Sequence, residues 1–173
     1  RGLVPAAVYL SMTLWRVPAV WVVSKIGERA AMLVGGAAYV LFPLGVYLVP
    51  TYWLLVVGAA TWGAGATLMW VTSSIRVIDS VGARSYGKAS GFFIGSAHTG
   101  ILIGYVLLSR IGDAFSLRTV FLAASGITLV GWLIMVTLPT KHTERTPPRF
   151  ATLRQIARLP NWGIVAALLG LAA

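Results

Sequence analysis

Arg16 sits inside an otherwise apolar run over residues 3–23. If that run crosses a bilayer, a charged side chain at its middle costs about 2.5–3.5 kcal/mol on insertion scales, and such residues mark solute or ion paths. No Asp or Glu lies at a comparable position in any apolar run of the chain. The counter-charge therefore comes from a further helix, from an anionic solute or from backbone carbonyls; pairing within a bundle and snorkelling are the plainer alternatives. Pro18, two residues on, has no N–H and is expected to bend the run and free a carbonyl. His98 is the only histidine inside a run. Histidine titrates near neutral pH, so it suits a proton relay, or it is a neutral imidazole bonded to Ser96, Thr99 or a neighbouring helix. Trp62, Ala66, Met69, Trp70 and Ser73 recur at helical spacing and form one stripe, an aromatic and mildly polar wall or a packing face.

Enzyme chemistry is not expected. His98 and Ser125 are the only pair resembling a serine–histidine dyad, and Ser125 has no G-x-S-x-G setting. Metal hydrolysis needs clustered His, Asp and Glu, and a cysteine-based site is excluded because the chain has no cysteine. No cofactor is implied. The glycine pairs Gly35-Gly36, Gly63-x-Gly65, Gly91-x-x-x-Gly95 and Gly100-x-x-x-Gly104 lack the strand that precedes a nucleotide loop, and read instead as small-residue contacts between membrane helices.

The elements that must position these residues follow from composition. Of 173 residues, 58% are hydrophobic and 10% charged. Soluble domains are typically about 25% charged, so a water-soluble globule is excluded. The runs are continuous rather than alternating, which favours helices over barrel strands. About 20 apolar residues span the hydrocarbon core, and five such spans are expected: 3–23, 30–49, 52–74, 89–108 and 119–138. A sixth opens near residue 161 and stops at 173, too short to cross. The expected class is an all-α, polytopic membrane protein.

A net charge of +10 raises nucleic-acid binding first. The basic residues, however, fall between apolar runs, and ten of the 14 lie in the first, third and fifth connections against two in the others. Basic connections stay on the cytoplasmic side. The charge is thus a topology signal, with a lipid bilayer as partner and no nucleic acid. The first span then runs from outside to inside. A chain that begins outside with no signal segment and no Met, and ends in an open apolar run, reads as an internal piece of a longer protein. Residues 139–160 form a separate segment: a polar, Pro-containing linker, then a basic amphipathic stretch with Arg154 and Arg158 four apart. That stretch suits the anionic inner leaflet, or is a solvated connector.

The order of spans, with a long basic inner connection after the fifth, resembles helices two to seven of a major facilitator superfamily transporter. The inner turn Ser24-Lys25-Ile26-Gly27-Glu28-Arg29 sits where that superfamily carries G-x-x-x-D-R-x-G-R-R. Gly27 and Arg29 match, Lys25 replaces an Arg, and Ser24 and Glu28 depart. A closer likeness is to the ion-channel-regulatory branch. It rests on Val23 to Arg29, on Val34-Gly35-Gly36-Ala37-Ala38-Tyr39-Val40-Leu41-Phe42, on Tyr52-Trp53-Leu54-Leu55 and on Gly63-Ala64-Gly65-Ala66-Thr67-Leu68-Met69-Trp70.

The resemblance implies the N-terminal half of the fold, five complete helices plus a truncated sixth. Residues 1–138 belong to the N-terminal bundle, 139–160 to the inter-half loop and 161–173 to the start of the C-terminal half, which is otherwise missing. It implies a secondary transporter moving a small-molecule solute by alternating access, with coupling to protons or another ion left open. The alternative is a non-transporting regulator or trafficking partner of channels or receptors. Arg16, Trp62, Trp70, Ser73 and His98 would line the solute path. Lys25, Gly27, Glu28, Arg29, Arg76, Asp79 and Arg84 would form the inner gate, with Asp79 placed to pair with Arg76 on one helix face. The implied location is the plasma membrane, or the inner membrane of a bacterium.

Overall fold

The computed structural model describes residues 2–49 and 51–138. The inter-half loop and truncated run expected over 139–173 lie outside the described residues. Six helices follow in order: α1 (Leu3–Leu14), α2 (Arg16–Ile26), α3 (Glu28–Leu48), α4 (Tyr52–Ser80), α5 (Tyr86–Ala114) and α6 (Leu117–Thr137). A 3-10 turn at Ala83–Ser85 leads into α5, and no strand occurs among the described residues. Four helices are long and apolar enough to cross a membrane, or five spans if α1 and α2 count as one.

The first span departs from a single helix. It is two helices meeting at 59°, with Trp15 between them at φ −81°, ψ −4°. Pro18 accounts for the bend: it cannot donate to the Leu14 carbonyl, and its ring crowds that same carbonyl. The connections are tighter than the apolar runs alone suggest. Only Gly27 separates α2 from α3, and α4 continues to Ser80, so Arg76 and Asp79 stand on helix rather than in a loop.

The interior is built of small residues and the exterior of large ones. Ala19, Ala31, Ala59 and Ala66 are buried, with Ser11, Thr67, Thr72 and Ser125. Phe92, Leu117 and Trp53 are among the most exposed side chains, at 80%, 74% and 69%. In water this would be an inverted protein. In lipid, apolar exposure costs nothing, and helices associate through close backbone approach and polar contacts.

α4 is the hub of this packing. Where it crosses α1, a β-carbon at Gly63 would lie 2.5 Å from the Val8 carbonyl; beside it Ser11 Oγ donates to the Ala60 carbonyl at 2.6 Å. Where it crosses α3, a β-carbon at Gly35 would lie 2.5 Å from the Gly65 carbonyl and 2.8 Å from the Met69 nitrogen. Both crossings exist because glycine has no side chain there. Toward the α2–α3 turn, Ala19, Val23, Ala31 and Leu68 form a cluster with Val22, Val71 and Ile75 against it.

α3 and α6 run antiparallel and are joined by polar contacts along their length. Ser125 Oγ donates to the Val40 carbonyl at 3.0 Å, and Trp132 Nε1 to the Leu33 carbonyl at 2.8 Å. Thr128 Oγ1 reaches the Tyr39 carbonyl at 3.1 Å. Pro43 lies inside α3, so the Tyr39 carbonyl, four residues back, has no helical donor. The Thr128 hydroxyl offers one from the neighbouring helix, sharing its single proton with the Ala124 and Ser125 carbonyls of α6 at 2.9 and 3.0 Å; such side-chain donors are how proline is tolerated inside membrane helices.

The two ends of this pair are closed reciprocally. Arg118, near the start of α6, donates from Nε to the Tyr47 carbonyl at 2.9 Å, with its guanidinium 4.9 Å from the Tyr47 ring centroid. Arg29, near the start of α3, donates to the Val136 carbonyl at 2.8 Å. The last carbonyls of a helix have no partner in the helix and carry partial negative charge, so each arginine satisfies the far end of the other helix. These contacts place the Gly27 turn and the end of α6 on one side of the bundle, and the end of α3 and the start of α6 on the other.

Candidate functional site: a broken span and its flanking helices

Arg16 is the first residue of α2, directly after the bend, and its side chain is exposed. It has no hydrogen-bond or ion-pair partner among the described residues. The acidic groups of the described spans stand at helix ends: Glu28 opens α3, Asp79 is in the last turn of α4, and Asp113 in the last turn of α5.

The tryptophan stripe divides between two neighbours. Trp62 stacks on Phe42 of α3 at 5.5 Å and 15° between planes, and meets Tyr39 edge-on at 5.3 Å. It is packed between α4 and α3. Trp70 lies edge-on to Phe93 of α5 at 5.7 Å. Ala66 is buried, while Met69 and Ser73 are half-buried.

His98 is exposed on α5. Its Nδ1 lies 2.9 Å from the Ile94 carbonyl of its own helix, rather than from Ser96, Thr99 or another helix. Ser96 and Thr99 likewise bond back into α5, to Phe93 and Gly95. No residue of α5 is buried, and a β-carbon at Gly91, Gly95, Gly100 or Gly104 would meet nothing within 4 Å. The close helix approach expected at those glycines is therefore absent among the described residues.

At the inner end, Lys25, Gly27, Glu28 and Arg29 surround the α2–α3 turn. Gly27 has φ +82° and ψ 159° and is the only described residue with positive φ. That backbone region is essentially restricted to glycine, so Gly27 is first a turn residue. Lys25 Nζ stands 5.8 Å over the exposed Trp21 ring. Arg29 caps α6, and Glu28, Arg29, Arg76 and Asp79 are each engaged in an interaction of their own. The cluster of Ala19, Val23, Ala31 and Leu68 gathers α2, α3 and α4 at this end, while Arg84 is exposed in the turn before α5. Sequence reasoning missed Tyr39, Phe93, Arg118 and Thr128; only the Pro43 signal hinted that the Tyr39 carbonyl would need a donor.

The geometry is that of a multi-pass bundle with a kinked span bearing a charge at mid-length. The model of the Major Facilitator Superfamily matches residues 2–173. The chain belongs to this superfamily. Superfamily membership and the apolar exterior together make it an integral, multi-pass protein of a transporter family, one whose members bind small-molecule solutes in the bilayer.

Proposed function

We propose that this chain contributes to a secondary active transporter that moves a small solute by alternating access. The observation that carries this reading is the superfamily match over residues 2–173. The bent first span, with Arg16 exposed at its break, supports it. In this scheme the chain supplies most of the N-terminal half, residues 139–160 join it to a C-terminal half, and the site lies between the halves. Arg16, Trp70, Ser73 and His98 face the path, and Trp62 holds Tyr39 in place behind it. His98 is the candidate for proton coupling. The motifs between Val23 and Trp70 support placing the chain in the ion-channel-regulatory branch.

The inner gate would be the cluster of Lys25, Gly27, Glu28, Arg29, Arg76, Asp79 and Arg84, on the cytoplasmic side of a plasma membrane or bacterial inner membrane. Its charged pairs would loosen as the two halves rock. The test is solute flux into proteoliposomes holding the full-length protein. Flux abolished by Arg16→Ala is the expected result. Intact flux in that variant would remove Arg16 from the mechanism, and no flux for any solute would favour a regulatory role.

A further inference from the structure

We propose that Arg16 is the recognition point for a monocarboxylate group on the solute. This rests on the transporter reading and adds the class of solute to it. Of the charged side chains in the described helices, Arg16 is the one far from either end of its span; the others stand within about five residues of a span's end. Its guanidinium is exposed and has no partner among the described residues, and the nearest acids by sequence and depth, Glu28, Asp79 and Asp113, all belong to helix ends.

A guanidinium at this depth is stable only with a counter-charge or with access to water. Arginine does not deprotonate, so the charge is permanent. Its planar fork matches the two oxygens of a carboxylate. Arg16 opens α2, so the positive end of that helix's dipole adds to the arginine rather than opposing it. A cationic solute would be repelled there, and a neutral one would leave the guanidinium uncompensated. One guanidinium neutralises one negative charge, so a monocarboxylate is matched in full while a dicarboxylate or the dianionic form of phosphate is not.

The experiment uses the full-length protein in detergent and in proteoliposomes. The probes are acetate and benzoate, their neutral isosteres acetamide and benzamide, and inorganic phosphate. Wild type is expected to bind at least one carboxylate about tenfold or more tighter than its amide, and tighter than phosphate. Arg16→Gln loses that preference; Arg16→Lys, which keeps the charge without the fork, retains part of it. Because the chain has no cysteine, Arg16→Cys adds a single reporter within it, and that cysteine should react with a water-soluble thiol reagent.

Equal binding of acid and amide, binding of phosphate ahead of both, an unchanged preference in Arg16→Gln, or an unreactive Arg16→Cys would each overturn the proposal. If Arg16→Gln does not elute as a folded species, the Arg16→Lys comparison and the cysteine reaction decide. The two readings fail separately. Carboxylate binding without any flux keeps the site and removes the transporter. Flux of a solute indifferent to Arg16→Gln keeps the transporter and removes the site.

Discussion

Three residues show how single positions carry this structure. Gly27 joins two helices with one residue at φ +82°, and a β-carbon there would meet no neighbour within 4 Å. Gly27→Ala therefore acts through backbone strain alone, at about 1–3 kcal/mol, and should lower the unfolding midpoint in detergent without altering side-chain packing. Thr128 is the second. Thr128→Val removes the donor to the carbonyl freed by Pro43 and should cost about 0.6–1.7 kcal/mol, the range seen for polar contacts between membrane helices. Thr137→Val is the control, since that hydroxyl is exposed and bonds only to the Ile134 carbonyl of its own helix. Ser116 is the third: it caps α6 by accepting from the Thr119 nitrogen at 3.2 Å. At this scale the sequence was partly legible. Arg16 stood out because a charge in an apolar run is improbable without a reason, and Gly27 because it matches the superfamily's inner-turn signature. Thr128 did not, because its partner lies 89 residues away and nothing local distinguishes it from any other helix threonine.

Among the elements, the expected spans correspond to helices α3 to α6 and to the α1–α2 pair, since apolar length alone decides which segments cross a bilayer. The helix ends were less legible, because α4 and α5 run past the hydrocarbon and polar residues can continue a helix in water. The bend was legible in its cause, Pro18, but not in its size. Pro18→Ala restores the donor to the Leu14 carbonyl, so the 59° angle should shrink. Spin labels near the two ends of the pair should then report a longer distance. The glycines separate in the same way. Gly35→Ala meets backbone of α4, which no rotamer can relieve, and should destabilise by about 1–3 kcal/mol. Gly104→Ala meets nothing within 4 Å and should be close to neutral for the described part. Both glycines look alike in sequence. Only the crossing of α3 with α4 distinguishes them.

For the whole molecule, the sorting of charge and the reciprocal arginine contacts agree on two sides. Lys25, Arg29, Arg76, Arg84 and Lys88 belong to one, Arg110 and Arg118 to the other. Single cysteines at Gly82 and at Phe115 should accordingly label from opposite faces of a sealed vesicle, Gly82 from the cytoplasmic side. Labelling of both from one side would overturn the topology. Composition made the membrane class readable, because it depends on a sum over many residues. The solute was not readable, since along the proposed path it would depend on the mutual placement of Arg16, Trp70, Ser73 and His98 on three different helices. The tryptophan stripe shows why: Trp62 and Trp70 share a helix face by spacing, yet one is held by α3 and the other meets α5.

The bond between Thr128 and the Tyr39 carbonyl also bears on how the protein is made. α3 enters the membrane well before α6 has been synthesised, and until then its proline leaves a carbonyl in hydrocarbon with no donor. The same interval leaves the Tyr47 carbonyl without Arg118. α3 is therefore a reluctant early guest of the bilayer, held by its neighbour α4 through the Gly35–Gly65 contact. The arrival of α6 works as a clasp, closing a bundle that its earlier helices can only outline. Truncation before residue 117 should thus yield a chain that inserts but is cleared by quality control, while one extended through residue 138 persists.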